Sequence, residues 1–115
     1  MKAVAVGYEC PITRAMATVG AKWKPHLIYA IRERKARFGQ LHAKLPHISR
    51  KVLAEQLRQL EEDGIVQRRE LLSEPLPHVE YSLTAKGLAL LPILFQLVAW
   101  DQQYAPTAAA GLTTE

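Results

Sequence analysis

The sequence predicts an α+β fold that is mostly helical, with short helices, a two-stranded hairpin and a long C-terminal helix. Three observations predict it. Apolar residues recur at three- and four-residue steps over most of the chain, as in Leu53, Leu57 and Leu60, which is the helical period. One stretch breaks that period: Val79-Glu80-Tyr81-Ser82-Leu83 alternates apolar and polar residues, as a half-buried strand does. Start and stop residues also stand where helices should begin and end: Pro11, Pro25, Ser49 and Thr84 at starts, Gly20, Pro46 and Gly64 at stops.

Each element follows in order. A first helix is expected from Pro11 or Ile12 to Val19, since proline at an early helical position loses an N–H that would be unpaired anyway. A second runs from Lys24 to Glu33, with Trp23, Leu27, Ile28 and Ile31 as its apolar stripe. Glu33 to Ala36 reads as a polar connection. A short third helix follows Arg37 and ends near Leu45, with Phe38, Leu41 and Leu45 on one side and Pro46 blocking continuation. Ser49 caps the fourth helix, Ser49–Asp63, and Ile48 before it can staple to Leu53. Gly64 is its left-handed stop, although Glu61, Glu62 and Asp63 sit unfavourably at the negative helix end. Ile65–Leu72 and Val79–Leu83 form the hairpin, its tip Ser73-Glu74-Pro75-Leu76-Pro77 stiffened by two prolines. Thr84 caps one long last helix to Tyr104. Residues 1–104 are thus expected to form a single domain and 105–115 a flexible tail.

Composition narrows the function. The chain has 115 residues with 49% hydrophobic content, enough for one core. No apolar run reaches the roughly 20 residues that span a bilayer, and the start does not read as a secretory leader. A single cysteine, Cys10, permits no intrachain disulfide, so a cytoplasmic location is expected. Charge is segregated along the chain. Residues 22–58 carry ten bases against two acids, a local balance of +8, whereas Glu61 onward has three bases against eight acids. One basic face for a polyanion follows from that asymmetry.

The order helix, short helix, turn, helix, hairpin is the arrangement of a winged helix-turn-helix. In it the second helix of the motif enters the major groove of duplex DNA. With Leu53, Leu57 and Leu60 facing inward, Arg50, Lys51, Glu55 and Arg58 face out, beside the small Ala54. Arginine can grip guanine bidentately, and Ser49 at the helix start can bond a phosphate. Arg68, Arg69 and His78 lie on the hairpin arms, where a wing meets the minor groove, and Arg37 lies on the backbone side. Pairing of Arg68 or Arg69 with Glu70, Glu74 or Glu80 is the competing use of those side chains. The last helix carries more apolar residues than one face can bury. Leu91, Leu94, Phe95, Val98 and Trp100 are therefore expected at a homodimer interface, which would present two recognition helices to a pseudo-palindromic operator.

Enzymatic chemistry finds no support. The four histidines make no metal-ligand spacing with each other or with Cys10, so no metal or cofactor is expected. No phosphate loop, nucleophile elbow or acid–base carboxylate pair occurs. A winged-helix module that binds an acidic protein instead of DNA is the alternative reading.

Joint motifs sharpen the assignment. Cys10-Pro11, Gly20-Ala21-Lys22-Trp23, Arg37-Phe38-Gly39-Gln40-Leu41, Ile48-Ser49, Leu60-Glu61-Glu62-Asp63-Gly64, Pro77-His78-Val79-Glu80-Tyr81 and Ser82-Leu83-Thr84 with Gly87 occur in the order and spacing of HxlR-type regulators. The chain resembles that MarR-like family over roughly residues 8 to 104. The resemblance implies a dimeric bacterial transcription regulator, dimerising through its N-terminal segment and last helix. It also implies that Cys10 senses electrophiles or oxidants. Lys22, Arg14 or the positive end of the first helix would lower its pKa, and an inert, partly buried small side chain is the competing reading.

Overall fold

In a computed structural model the described residues are 10–72 and 75–105. Helix α1 spans Pro11–Val19, α2 Lys24–Ile31, α3 Phe38–Lys44 and α4 Arg50–Glu62. Strands β1 (Val66–Leu71) and β2 (His78–Leu83) follow, then α5 (Ala85–Leu88) and α6 (Leu90–Tyr104). The two strands pair antiparallel, from Val66 opposite Leu83 to Leu71 opposite His78. Ser73, Glu74 and the expected tail after Ala105 lie outside the described residues.

The core sits where α2, α3 and α4 meet under the hairpin. Leu53, Leu57 and Leu60 are at most 1% exposed and pack with Leu27, Ile28, Ile31 and Leu41. Burial of each such side chain is worth about 1.5–3 kcal/mol, so this seam fixes how α4 is presented. Both caps form as expected. The Ser49 hydroxyl accepts from the Val52 N–H at 3.1 Å, and Ile48 is buried beside the seam. Gly64 has φ +74°, the left-handed turn that ends α4.

The unfavourable acids at the end of α4 have a counterweight from elsewhere in the chain. Lys86 Nζ donates to the Asp63 carbonyl at 2.8 Å, placing a cation at the helix's negative end. The Thr84 hydroxyl donates to the Gly64 carbonyl at 2.5 Å and accepts from the Gly87 N–H at 3.1 Å. Gly87 is needed for this docking, because a Cβ there would lie 2.3 Å from the Ile65 carbonyl oxygen.

Three expectations are corrected. Helix α2 stops at Ile31, not Glu33, because Arg32 turns away with φ +51°. Ala36 is not plain connection. Its N–H donates to the Tyr81 carbonyl and its carbonyl accepts from the Tyr81 N–H, at 2.9 and 2.8 Å, so it is buried as a bridge on the free side of β2. The long last helix is two helices with a turn at Ala89, and Thr84 caps the short one. Pro92 accounts for the interruption: lacking an N–H, it cannot bond the Leu88 carbonyl and fits only the first turn of a new helix.

Candidate nucleic-acid interface

The turn between α3 and α4 sets the site. His42 Nε2 stands 2.9 Å from the Ile48 carbonyl, which can only accept, so this nitrogen carries the proton and donates. That bond clamps α3 to the residue preceding the Ser49 cap. With the leucine seam buried, the opposite edge of α4 meets solvent. Arg50 and Lys51 are exposed at its first two positions, Ala54 leaves room beside them, and no acid occupies the first turn. Among the described residues neither cation makes an ion pair. The Arg50 guanidinium lies 5.9 Å from the centre of the Phe38 ring, so the first residue of α3 serves as its platform.

The far half of α4 is different. Glu55 and Arg58 face out as expected, but they hold each other. Arg58 Nη2 meets Glu55 Oε2 at 2.6 Å, Arg58 also bonds Glu62, and Gln59 adds a donor to Glu55 at 3.0 Å. The Arg58 hydrogen bond, then that of Gln59, lowers the Glu55 carboxyl to about 2. The pair raises the Arg58 guanidinium above its ordinary value, chiefly through the Glu55 hydrogen bond. Arg58 is thus a paired cation in the chain without DNA, unlike Arg50 and Lys51.

The wing divides in the same way. Arg68 bonds Glu70 at 3.0 Å along its own strand, and this bond, with one to Tyr81, raises its pKa. His78 turns inward, with Nε2 3.4 Å from Glu80 and its side chain 13% exposed, so it braces the wing instead of reaching out. Arg69 is exposed opposite Glu80 and makes no ion pair among the described residues. Arg37, whose N–H is accepted by Gln40 Oε1 at 2.8 Å, borders a cleft of about 210 Å3 with Pro75, Leu76 and His78. Arg37 next to Phe38 therefore links the wing to the start of α4, and Arg50, Lys51, Arg37 and Arg69 remain as available cations.

Cys10 is exposed at the start of α1. Its thiol is held below the ordinary value by the backbone N–H groups of Thr13 and then Ile12, with the Thr13 hydroxyl assisting against slight desolvation. The contact is looser than a formed helix cap. The helix end supplies the effect; neither Lys22 nor Arg14 is among its causes. The start of the chain through Glu9, where the resemblance places part of the dimer contact, lies outside the described residues.

At the other end of the molecule, Phe95, Val98 and Trp100 are 48%, 51% and 62% exposed. Leu94 is half-buried and, with Met16, Val19, Tyr29, Phe95 and Val98, lines an open apolar cleft of about 570 Å3 between α1, α2 and α6. Leu91 is the exception among the expected interface residues. At 4% exposure it belongs to its own subunit's core, because it falls on the face of α6 that meets the body. Among the described residues no helix is long and apolar enough to cross a membrane, and no cluster of His, Cys, Asp and Glu could hold a metal.

The model of the HxlR-like helix-turn-helix family matches residues 18–109. The chain belongs to that family. It is 37% identical over 95 residues to the uncharacterised HTH-type transcriptional regulator YdeP of Bacillus subtilis, covering 83% of this chain and 73% of YdeP. An uncharacterised HTH-type transcriptional regulator of Methanothermobacter thermautotrophicus is 36% identical over 97 residues, covering 84% and 73% of the two chains. Among solved structures, the redox regulator HypR in its reduced form superposes with a TM-score of 0.78 at 37% identity, covering 88% of this chain and 99% of HypR. The reduced form of the transcriptional regulator YodB from B. subtilis gives 0.77 at 35% identity, covering 84% and 95%. YodB has also been solved after diamide treatment and with quinone bound. The fold is that of winged-helix regulators; YodB and the two HTH-type relatives are named as transcriptional regulators and HypR as a redox regulator.

Proposed function

We propose that this chain binds double-stranded DNA sequence-specifically as a homodimer and regulates transcription in the cytoplasm. One observation carries the reading: α4 buries its leucine edge and holds Arg50 and Lys51 in solvent at its open, positive end. That end enters the major groove. Arg50, steadied on Phe38, reads a base edge, Ser49 and Lys51 hold phosphates, and Arg37 and Arg69 hold the backbone and minor-groove side. The exposed apolar face of α6, with Leu94, Phe95, Val98 and Trp100, takes the second chain. Two-fold symmetry then sets two recognition helices about 34 Å apart, one duplex turn, on an inverted repeat.

Footprinting of the purified protein on genomic DNA supplies the operator, and mobility shifts on that duplex test the reading. Arg50→Ala or Lys51→Ala should weaken binding with the melting temperature unchanged, and affinity should fall steeply with salt. Normal binding by both variants refutes the docking face. A wild-type protein that binds no duplex but captures an acidic protein favours the interaction-module reading.

Cys10 is the second part of the proposal. Its exposure and lowered pKa suit attack by the thiolate on an electrophile. With a quinone, a sulfur–carbon bond forms and the ring is reduced to the hydroquinone level. With diamide, Cys10 and a thiol from a second chain or a small molecule lose two electrons and two protons to the N=N bond. Either product changes the start of α1, the helix whose other end, at Met16 and Val19, lines the cleft with α6. Operator binding by wild type should respond to diamide or quinone, and binding by Cys10→Ser should not; equal responses end the sensor idea.

A further inference from the structure

A second group of cations stands apart from the duplex-facing ridge. Between the end of α2 and α3 lies a cleft of about 310 Å3 with Ala30, Ala36 and Leu41 as its apolar wall. Arg34, Lys35 and Lys44 line the rest, and among the described residues none of them makes an ion pair. Arg34 is held in place, since its Nη2 donates to the Ala30 carbonyl at 3.1 Å. Arg32 lies over the Tyr29 ring at 4.5 Å. Gln40 spends its amide oxygen on the Arg37 N–H, which leaves its NH2 group as a further donor on the cleft. The polar side chains of the cleft thus present donors. Their crowding is felt: desolvation, then the charges of Arg34 and Arg32, lowers the Lys44 ammonium below the usual lysine value.

The cleft opens away from the recognition helix. Phe38 and His42 lie on the side of α3 turned toward the start of α4, Phe38 through Arg50 and His42 through its bond to Ile48 just before the helix. Gln40 and Lys44 each stand two residues from His42, about 200° around the helix. A duplex seated on Arg50 and Lys51 therefore does not fill this cleft.

We propose that the cleft binds a small organic anion, a carboxylate or phosphate group held by Arg34, Lys35 and Lys44 with a compact apolar body against Ala30, Ala36 and Leu41. The guanidinium fork of Arg34 matches either group, and charge-assisted bonds from three cations relieve their mutual repulsion. The site also has a route to the wing. Ala36 pairs with Tyr81 of β2, and Gln40 bonds the N–H of Arg37, so an anion bridging this segment to α3 ties the wing to the helix-turn-helix. Binding of the anion does not depend on the DNA reading; only its effect on operator affinity does.

The test uses DNA-free protein at fixed ionic strength, titrated with phenyl phosphate, benzoate and inorganic phosphate and followed by calorimetry and amide NMR shifts. Phenyl phosphate or benzoate should bind saturably, with shifts at Ala36, Gln40 and Leu41. Arg34→Gln and Lys44→Gln should each weaken that binding roughly tenfold or more, the scale of a charge-assisted bond. Arg14→Gln, which removes one charge from α1, should leave it unchanged. Absence of saturable binding overturns the proposal, as does equal loss in Arg14→Gln. Inorganic phosphate binding as tightly as phenyl phosphate overturns the organic-anion assignment. If Arg34→Gln and Lys44→Gln instead lower operator affinity and reduce its salt slope by about one ion each, these cations belong to the duplex interface and the proposal falls.

Discussion

The two ends of this molecule treat apolar residues in opposite ways. Around α4, Leu53, Leu57 and Leu60 are almost wholly covered by residues of the same chain. On α6 only Leu91 is buried, while Ile93, Phe95, Leu97, Val98 and Trp100 stay about half or more exposed. The first region is complete in one chain and can present its charges rigidly. The second leaves contiguous apolar surface uncovered, the surface that the proposed homodimer would bury. In the proposed homodimer, a change at the apolar end would alter the spacing of the two charged ends without disturbing either core.

Mutations that respect this contrast should separate cleanly. Leu57→Ala removes side-chain volume from the closed core and should cost about 2–5 kcal/mol of unfolding free energy, read by denaturant titration. Val98→Asp puts a charge on the open face. It should weaken self-association by roughly a hundredfold, about 2.7 kcal/mol, in sedimentation equilibrium, with little change in the isolated chain's fold. Val98→Asp that unfolds the chain, or leaves its association intact, breaks the distinction between the ends.

The sequence made the closed end legible in more detail than its surroundings. Heptad-like leucines, a serine cap and a glycine stop are local signals, and α4 begins and ends within a residue of where they place it. The features it hid are contacts between distant residues. Lys86 at the end of α4 and Ala36 on the edge of β2 depend on tertiary docking that no local pattern encodes. The division of cations into free and occupied was half-visible. Glu55, Arg58 and Glu62 stand at helical ladder spacing, so their pairing could have been read from the three- and four-residue steps. The inward turn of His78 had only the alternation of β2 to announce it, and that alternation also suits a solvent-facing side chain. Pro92 was the overlooked sign that the last helix is broken.

The same division runs along α4 itself, between Arg50 and Lys51 at its start and the paired Arg58. Arg50→Ala should cost operator binding about 1–3 kcal/mol if it contacts a base, and Lys51→Ala should lower affinity more evenly across sequences with a smaller salt slope. Arg58→Ala, by contrast, removes a side chain already held by two carboxylates. Its effect on affinity should stay within about threefold, in line with the small worth of exposed pairs. Mobility shifts on one operator rank the three, and an Arg58 effect matching that of Arg50 would mean that the ladder opens on DNA.

The smallest effect is that of the ladder on stability, and its pH dependence has a definite sign. The Glu55 carboxyl is depressed from 4.5 to about 2 in the folded chain. A depressed acid stabilises the fold above its unfolded value, and that contribution fades as pH falls through the window between the two values. The melting temperature of wild type should therefore exceed that of Glu55→Gln at pH 6 and converge on it as pH falls from 4.5 towards 2. High salt should narrow the gap at pH 6, because the pair is exposed and screened. A gap that persists unchanged at the acid limit would assign the difference to the packing or helix propensity of the substituted side chain, and would leave Arg58 free to meet the duplex.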